Sequence, residues 1–304
     1  RGRRCRPPCH PWAARYTFTI IDVPGASLTH AFGINNAGQI VGDFVDATGT
    51  HGFVYDGTSF TPIDVPGAIG TRVYDINNTG QIVGNFSDTM GVHGFLKDGS
   101  IFTSIDIPGA RSTDAVGIND MGQIVGGFLD AMRGHGCLQV GGMIIALDVP
   151  GASDNNALSI NNTGQIVGDF DDLTGPHGYV KDGATFTPIA VHGASFTRAA
   201  GINEHGDIVG SFLDGITIHG YLKEGMTFLP IDVPGAVSTN AIGINDMGQI
   251  VGIFNDAMGT THGFLADPIL VSPVPEPATW LLLASGIIGL LSYRCGRWRG
   301  YVST

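Results

Sequence analysis

The sequence predicts an all-β fold: a six-bladed β-propeller of four-stranded units, followed by a C-terminal hydrophobic helix. Three observations predict it. One ten-residue phrase recurs six times at a spacing of 42: GINNAGQIVG (33–42), DINNTGQIVG (75–84), GINDMGQIVG (117–126), SINNTGQIVG (159–168), GINEHGDIVG (201–210) and GINDMGQIVG (243–252). Forty-seven glycines in 304 residues, about twice the usual share, suit tight turns and closely stacked strands. No long amphipathic helical pattern occurs before residue 278.

Each 42-residue unit offers four runs of strand character, in the first unit HAFGIN (30–35), QIVGDF (39–44), HGFVYD (51–56) and FTPIDV (60–65). NNAG, NNTG or NDMG joins the first run to the second, and an Asn or Asp followed by Gly is hairpin chemistry. DG turns at 56–57, 98–99 and 182–183 join the third to the fourth. VPGA closes the unit, with Pro fixing φ and Gly reversing the chain. Four antiparallel strands in about 42 residues is the size of one propeller blade. QIVG is apolar on both sides of a strand, as expected where a sheet lies between neighbouring sheets, and its Gly is expected to permit close approach near the axis.

The ends of the repeat decide between a closed ring and an open solenoid. The chain enters with a lone fourth-type strand, FTIIDV (18–23), and leaves after a third-type strand, HGFLAD (262–267). Pairing the two closes the ring and removes exposed sheet edges, whereas a solenoid requires caps. The expected organisation is therefore a disordered or artefactual basic leader over 1–15, the six-repeat propeller over 16–270, and a linker with a hydrophobic membrane tail over 271–304.

Charge narrows the function. Residues 16–270 hold seven basic against 26 acidic residues, so the body repels a phosphate backbone and no nucleic-acid partner is expected. The four cysteines (Cys5, Cys9, Cys137, Cys295) do not follow the repeat, so no disulfide framework is built into it. CRPPCH (5–10) is one residue too long for a haem-attachment motif and lies in a Pro-rich leader; no cofactor is assigned. There is no Gly-rich phosphate loop, zinc-spaced cluster or nucleophile elbow. No catalytic residue and no metal site is expected.

The phrase HAFGINNAGQIVG and the recurrent HGF resemble the HAF family of bacterial extracellular repeats, over about Phe18 to Asp267. That resemblance implies a surface or secreted location and little chemistry.

The tail reads VPEPATWLLLASGIIGLLSYRCGRWRG (274–300). An apolar run short of a full span follows Pro-Glu-Pro and is bracketed by Trp280 and Tyr293, with Arg294, Arg297 and Arg299 beyond it. This order is similar to the PEP-CTERM sorting signal, with Val274, Pro275, Glu276 and Pro277 on its defining motif. The resemblance implies a transient partner, an exosortase-type membrane protease, and an exported protein of an exopolysaccharide-producing bacterium, anchored in the inner membrane until processed. An export leader is then expected upstream.

The bland reading is preferred for the repeated polar residues. Six histidines begin the HG pairs at His51, His93, His135, His177, His219 and His262. Equivalent positions in a ring lie too far apart to share a metal, so each His is expected to bond either backbone or an Asp in its own blade, with Asp22, Asp64, Asp106, Asp148 and Asp232 as candidate partners. Asp46, Asp88, Asp130, Asp172, Asp214 and Asp256 are expected to cap turns, because each loop offers too few oxygens for calcium. The fifth unit departs most from the others. It gathers His192, Glu204, His205 and Asp207, the candidate ligand-binding residues. The expected function is a non-enzymatic binding or structural module of the cell surface or matrix, with exopolysaccharide as a candidate partner. The alternative is a secreted glycan-binding lectin or a glycan-active propeller enzyme.

Overall fold

The computed structural model describes residues 15–269, and these form no helix. The leader and the tail, with its expected sorting helix, Val274–Pro277 motif and arginines, lie outside the described residues.

The chain opens with β1 (Tyr16–Ile21). The first unit is β2 (Leu28–Ile34), β3 (Ile40–Val45), β4 (Thr50–Tyr55) and β5 (Phe60–Ile63). The second is β6 (Gly70–Ile76), β7 (Ile82–Ser87), β8 (Val92–Asp98) and β9 (Ile101–Ile105). The third is β10 (Ser112–Ile118), β11 (Ile124–Leu129), β12 (Gly134–Val140) and β13 (Met143–Leu147). The fourth is β14 (Asp154–Ile160), β15 (Ile166–Asp172), β16 (Gly175–Asp182) and β17 (Thr185–Ile189), and the fifth is β18 (Phe196–Ile202), β19 (Ile208–Leu213), β20 (Ile218–Glu224) and β21 (Thr227–Ile231). The sixth has β22 (Ser238–Ile244), β23 (Ile250–Asn255) and β24 (Thr261–Pro268), and takes β1 as its fourth strand. β1 pairs antiparallel with β24 from Tyr16↔Pro268 to Ile21↔Gly263, so the chain's first strand completes its last sheet.

The architecture is propeller-like, but the expectation of six separate blades is corrected. Four four-stranded sheets stand alone, while the second and third units merge into one eight-stranded sheet. A single parallel bridge, Ser112↔Val92, joins them. The bridge lies where the loop after the second strand passes the backbone just before the next unit's first strand: a Cβ on Gly91 would lie 3.6 Å from the Arg111 carbonyl.

Packing explains why IVG repeats without variation. Ile40, Ile82, Ile124, Ile166, Ile208 and Ile250 turn into the core of their own unit, while the adjacent Val turns into the core of the next. Val41 thus packs with Ile63, Val73 and Phe95, and Val251 with Ile21, Ala31 and Phe53, across the chain ends. Each of these valines is fully buried, worth about 1.5–3 kcal/mol apiece. The Gly that follows has a different role from the one expected. Gly42, Gly84, Gly126, Gly168, Gly210 and Gly252 lie in the second strand, away from the axis. A Cβ there would strike the carbonyl of His30, Arg72, Asp114, Asn156, Arg198 or Asn240, beside the bulge in the first strand. The crowding near the axis falls on first-strand glycines instead: a Cβ on Gly33 would lie 2.8 Å from Asp75.

Candidate functional site

The six first strands surround an axial cavity of about 360 Å³. The Asn hairpins line one end of it (the hairpin face), and the other end lies on the side of the VPGA turns and the loops after the second strands (the loop face).

At the hairpin face, two complete cycles of hydrogen bonds run around the axis. In the first, Asn35 Nδ2 donates to the Asn77 carbonyl, Asn77 to Asn119, Asn119 to Asn161, Asn161 to Asn203, Asn203 to Asn245, and Asn245 back to Asn35, at 3.0–3.3 Å. Each Asn Oδ1 also accepts a backbone N–H of its own hairpin, as from Gln39 at 3.0 Å, which sets the turn. In the second cycle, the backbone N–H of Asn36 donates to Asn78 Oδ1, then Asn78 to Asp120, Asp120 to Asn162, Asn162 to Glu204, Glu204 to Asp246, and Asp246 to Asn36 Oδ1, at 2.7–3.0 Å.

The fifth-unit candidates take their places within this frame. Glu204 is a link in the second cycle and lines the cavity. Asp207 accepts from Asn203 Nδ2 at 3.3 Å, the bond that Gln makes in other units. His205 is exposed, its N–H bound to Asn203 Oδ1. His192 is exposed in the turn before β18, on the loop face. The seven residues of β18 hold it about 20 Å from the other three. The structure does not bring the four together.

The repeated histidines sit at the rim of the loop face. His51, His93, His135 and His219 bond Nδ1 to Asp64, Asp106, Asp148 and Asp232 at 2.7–3.1 Å, and His262 bonds Asp22 of the first strand's end at 2.8 Å. Nε2 of His93, His135 and His219 reaches Asp88, Asp130 and Asp214 at 3.2 Å. His177, whose unit has Ala190 in place of that aspartate, bonds Thr174 instead. The Asp106 hydrogen bond raises the pKa of His93. For His219 and His262 burial opposes the charge, but their paired aspartates overcome it and the pKa still rises. The loop aspartates cap turns: backbone N–H groups of Arg133 and Met132 hold Asp130 at about 2.

Where the copies differ is the wall of the cavity nearest the loop face. The third residue of each first strand is His30, Arg72, Asp114, Asn156, Arg198 or Asn240, and each pairs across to Asp43, Asn85, Gly127, Asp169, Ser211 or Ile253. These residues bond between units. Arg72 Nε lies 3.3 Å from Asp43 and Arg198 Nε 3.2 Å from Asp169. Asn85 Nδ2 donates to Asp114, and also to Tyr74 Oη at 3.2 Å. Asp43 is 1% exposed and also bonds His30 Nδ1 at 2.6 Å. Burial raises the pKa of Asp169 although Arg198 opposes it. Arg198 Nε is buried, and its N–H is not aimed at Asp169, so it makes no hydrogen bond among the described residues. One step deeper lie Phe32, Tyr74, Val116, Leu158, Ala200 and Ile242, with Phe32 and Tyr74 rings 5.5 Å apart. Asp75 stands where other units have Gly or Ser. Desolvation pushes it up to about 7, against the N–H groups of Ile118 and Ile76 that it accepts.

Sequence reasoning missed this ring. The signal was available: aligned on the 42-residue period, position 34 is Ile in every unit, while position 30 runs His, Arg, Asp, Asn, Arg, Asn.

The fold places the chain among propeller-like all-β proteins. The structure of a streptogramin B lyase superposes with a TM-score of 0.51 at 12% identity, over 86% of this chain and 100% of that one. A putative gluconolactonase gives 0.49 at 13% identity, over 84% and 93%. Trypanosoma rangeli sialidase gives 0.45 at 11%, over 95% and 59%. The first likeness supports the fold and carries no chemistry. No curated protein matches the chain. Residues 273–297 match the PEP-CTERM protein-sorting motif, which implies an exported protein processed by an exosortase membrane protein.

Proposed function

We propose that this chain is an exported, non-enzymatic propeller-like module of the cell surface or extracellular matrix, delivered by an exosortase-type system. The sorting motif at 273–297 carries the reading. The HAF-like repeat phrase supports an extracellular setting. In the producing cell, Glu276→Ala is expected to leave full-length protein in the membrane fraction, while the unaltered chain is released with its tail removed. Intact-mass measurement of both fractions checks this, and unchanged release would overturn the reading.

A second reading, a glycan-binding lectin, is favoured over a glycan-active enzyme by one observation. The carboxylates near the cavity mouth are engaged by neighbours: Asp43 by His30 and Arg72, Asp114 by Asn85, Asp169 by Arg198. Groups held in this way suit holding a ligand better than exchanging protons with it.

A further inference from the structure

The unlike residues at the mouth of the axial cavity are the part of this molecule that its repeat does not explain. Each unit reproduces the same IVG core, hairpin Asn and Asp-capped loop. At the third first-strand position no two neighbouring units agree. In a ring of near-copies, three of these six positions line the cavity, as Asp114, Asn156 and Arg198, and three different side chains facing one space make a single asymmetric site, not six equivalent ones.

Its chemistry points to one class of ligand. The volume of about 360 Å³ falls in the range of small-ligand sites. Three residues on adjacent units line it with planar polar groups: Asp114, Asn156 and Arg198. Asn156 is exposed to the cavity, and Arg198 keeps a buried N–H without an acceptor. Such groups present donors and acceptors in fixed planes, which match the paired hydroxyls of a sugar ring. Facing them from the first two units, Phe32 and Tyr74 offer an aromatic wall for an apolar C–H face.

Ionic ligands fit less well. Both guanidinium groups at this level already face a carboxylate, and no second carboxylate lies within 4 Å of either among the described residues. The acidic body opposes anions, because residues 16–270 hold 26 acidic against seven basic residues. A cation would have to displace the partners of Asp43, Asp114 and Asp169. An uncharged polyhydroxylated ring needs no compensating charge.

We infer that the axial cavity is a single site for an uncharged saccharide unit, held by Asp114, Asn156 and Arg198 against the wall of Phe32 and Tyr74. This deepens the binding reading of the module and rests on it.

The test is titration calorimetry of the full chain, in a sugar-free detergent, with cellotetraose, mannotriose, chitotriose and a galacturonate trimer. The expected result is binding of at least one neutral oligosaccharide at one per chain. Asn156→Ala and Asp114→Asn should each weaken it about tenfold or more, with thermal unfolding confirming that both variants fold. Six sites per chain, no binding, preference for the galacturonate trimer, or unchanged affinity in both polar variants would each overturn the assignment. Failures of the two proposals are separable. Shortened oligosaccharides in the titrated samples would refute the non-enzymatic reading while supporting the site. Correct sorting without binding would refute the site alone.

Discussion

Removing one amide from the hairpin ring tests whether the closed cycle is what stabilises the fold. Asn161 is 2% exposed and its side chain makes four hydrogen bonds. Oδ1 accepts from the Gln165 N–H at 2.9 Å and from Thr163 Oγ1 at 2.7 Å, while Nδ2 donates to Gln165 Oε1 at 3.0 Å and to the Asn203 carbonyl at 3.1 Å. Asn161→Ala deletes all four. The Asn203 carbonyl keeps the Gly206 N–H at 3.2 Å, so each of the four lost bonds costs about 0.5–1.5 kcal/mol. The sum is about 2–6 kcal/mol. For a body of this size that is a fall of roughly 5 °C or more in Tm. Thr163→Ala removes one bond of the same hairpin and should cost only about 1 kcal/mol. Urea unfolding of both variants, followed by far-UV circular dichroism, gives the two numbers. If Asn161→Ala lost no more than Thr163→Ala, the inter-unit bond would contribute nothing and the cycle would be incidental.

Two further outcomes concern pH. His93, His219 and His262 have folded pKa values raised by their aspartates, so their stabilisation is fully present below about pH 6.5 and is lost as pH rises through the raised values. The urea midpoint should therefore fall from pH 6 to pH 8, and replacing all three by Gln should flatten that slope. Asp75 loses stability in the same direction for a different reason: burial lifts its folded value to about 7, above its unfolded one, so its contribution falls as pH climbs from about 4 to 7. Asp75→Ser, the residue type of Ser159 in the fourth unit, should gain stability over the unaltered chain at pH 8 compared with pH 4.5, and an equal difference at both pH values would refute the desolvation account.

The 42-residue period, the four strands of each unit, their turns and the pairing of FTIIDV with HGFLAD were all legible in the sequence. Local chemistry determines them: Asn-Gly hairpins, period-two apolar runs and a leftover strand type at each end require no knowledge of what lies across the axis. The His–Asp pairs were legible for the same reason, since register puts His51 opposite Asp64 whatever the neighbouring units do. What the tertiary structure alone decided is how units meet. The bridge that merges the second and third sheets is a contact between units, Ser112↔Val92, which no sequence pattern encodes. Glu204 and Asp207 looked like chemistry because they broke the repeat, yet the ring uses them as replacement links. His30, Arg72, Asp114, Asn156, Arg198 and Asn240 lie 42 residues apart and vary where the rest of the unit repeats. Closing six strands around one axis brings those distant positions to the same level, and only that closure lets Asp114, Asn156 and Arg198 line one cavity.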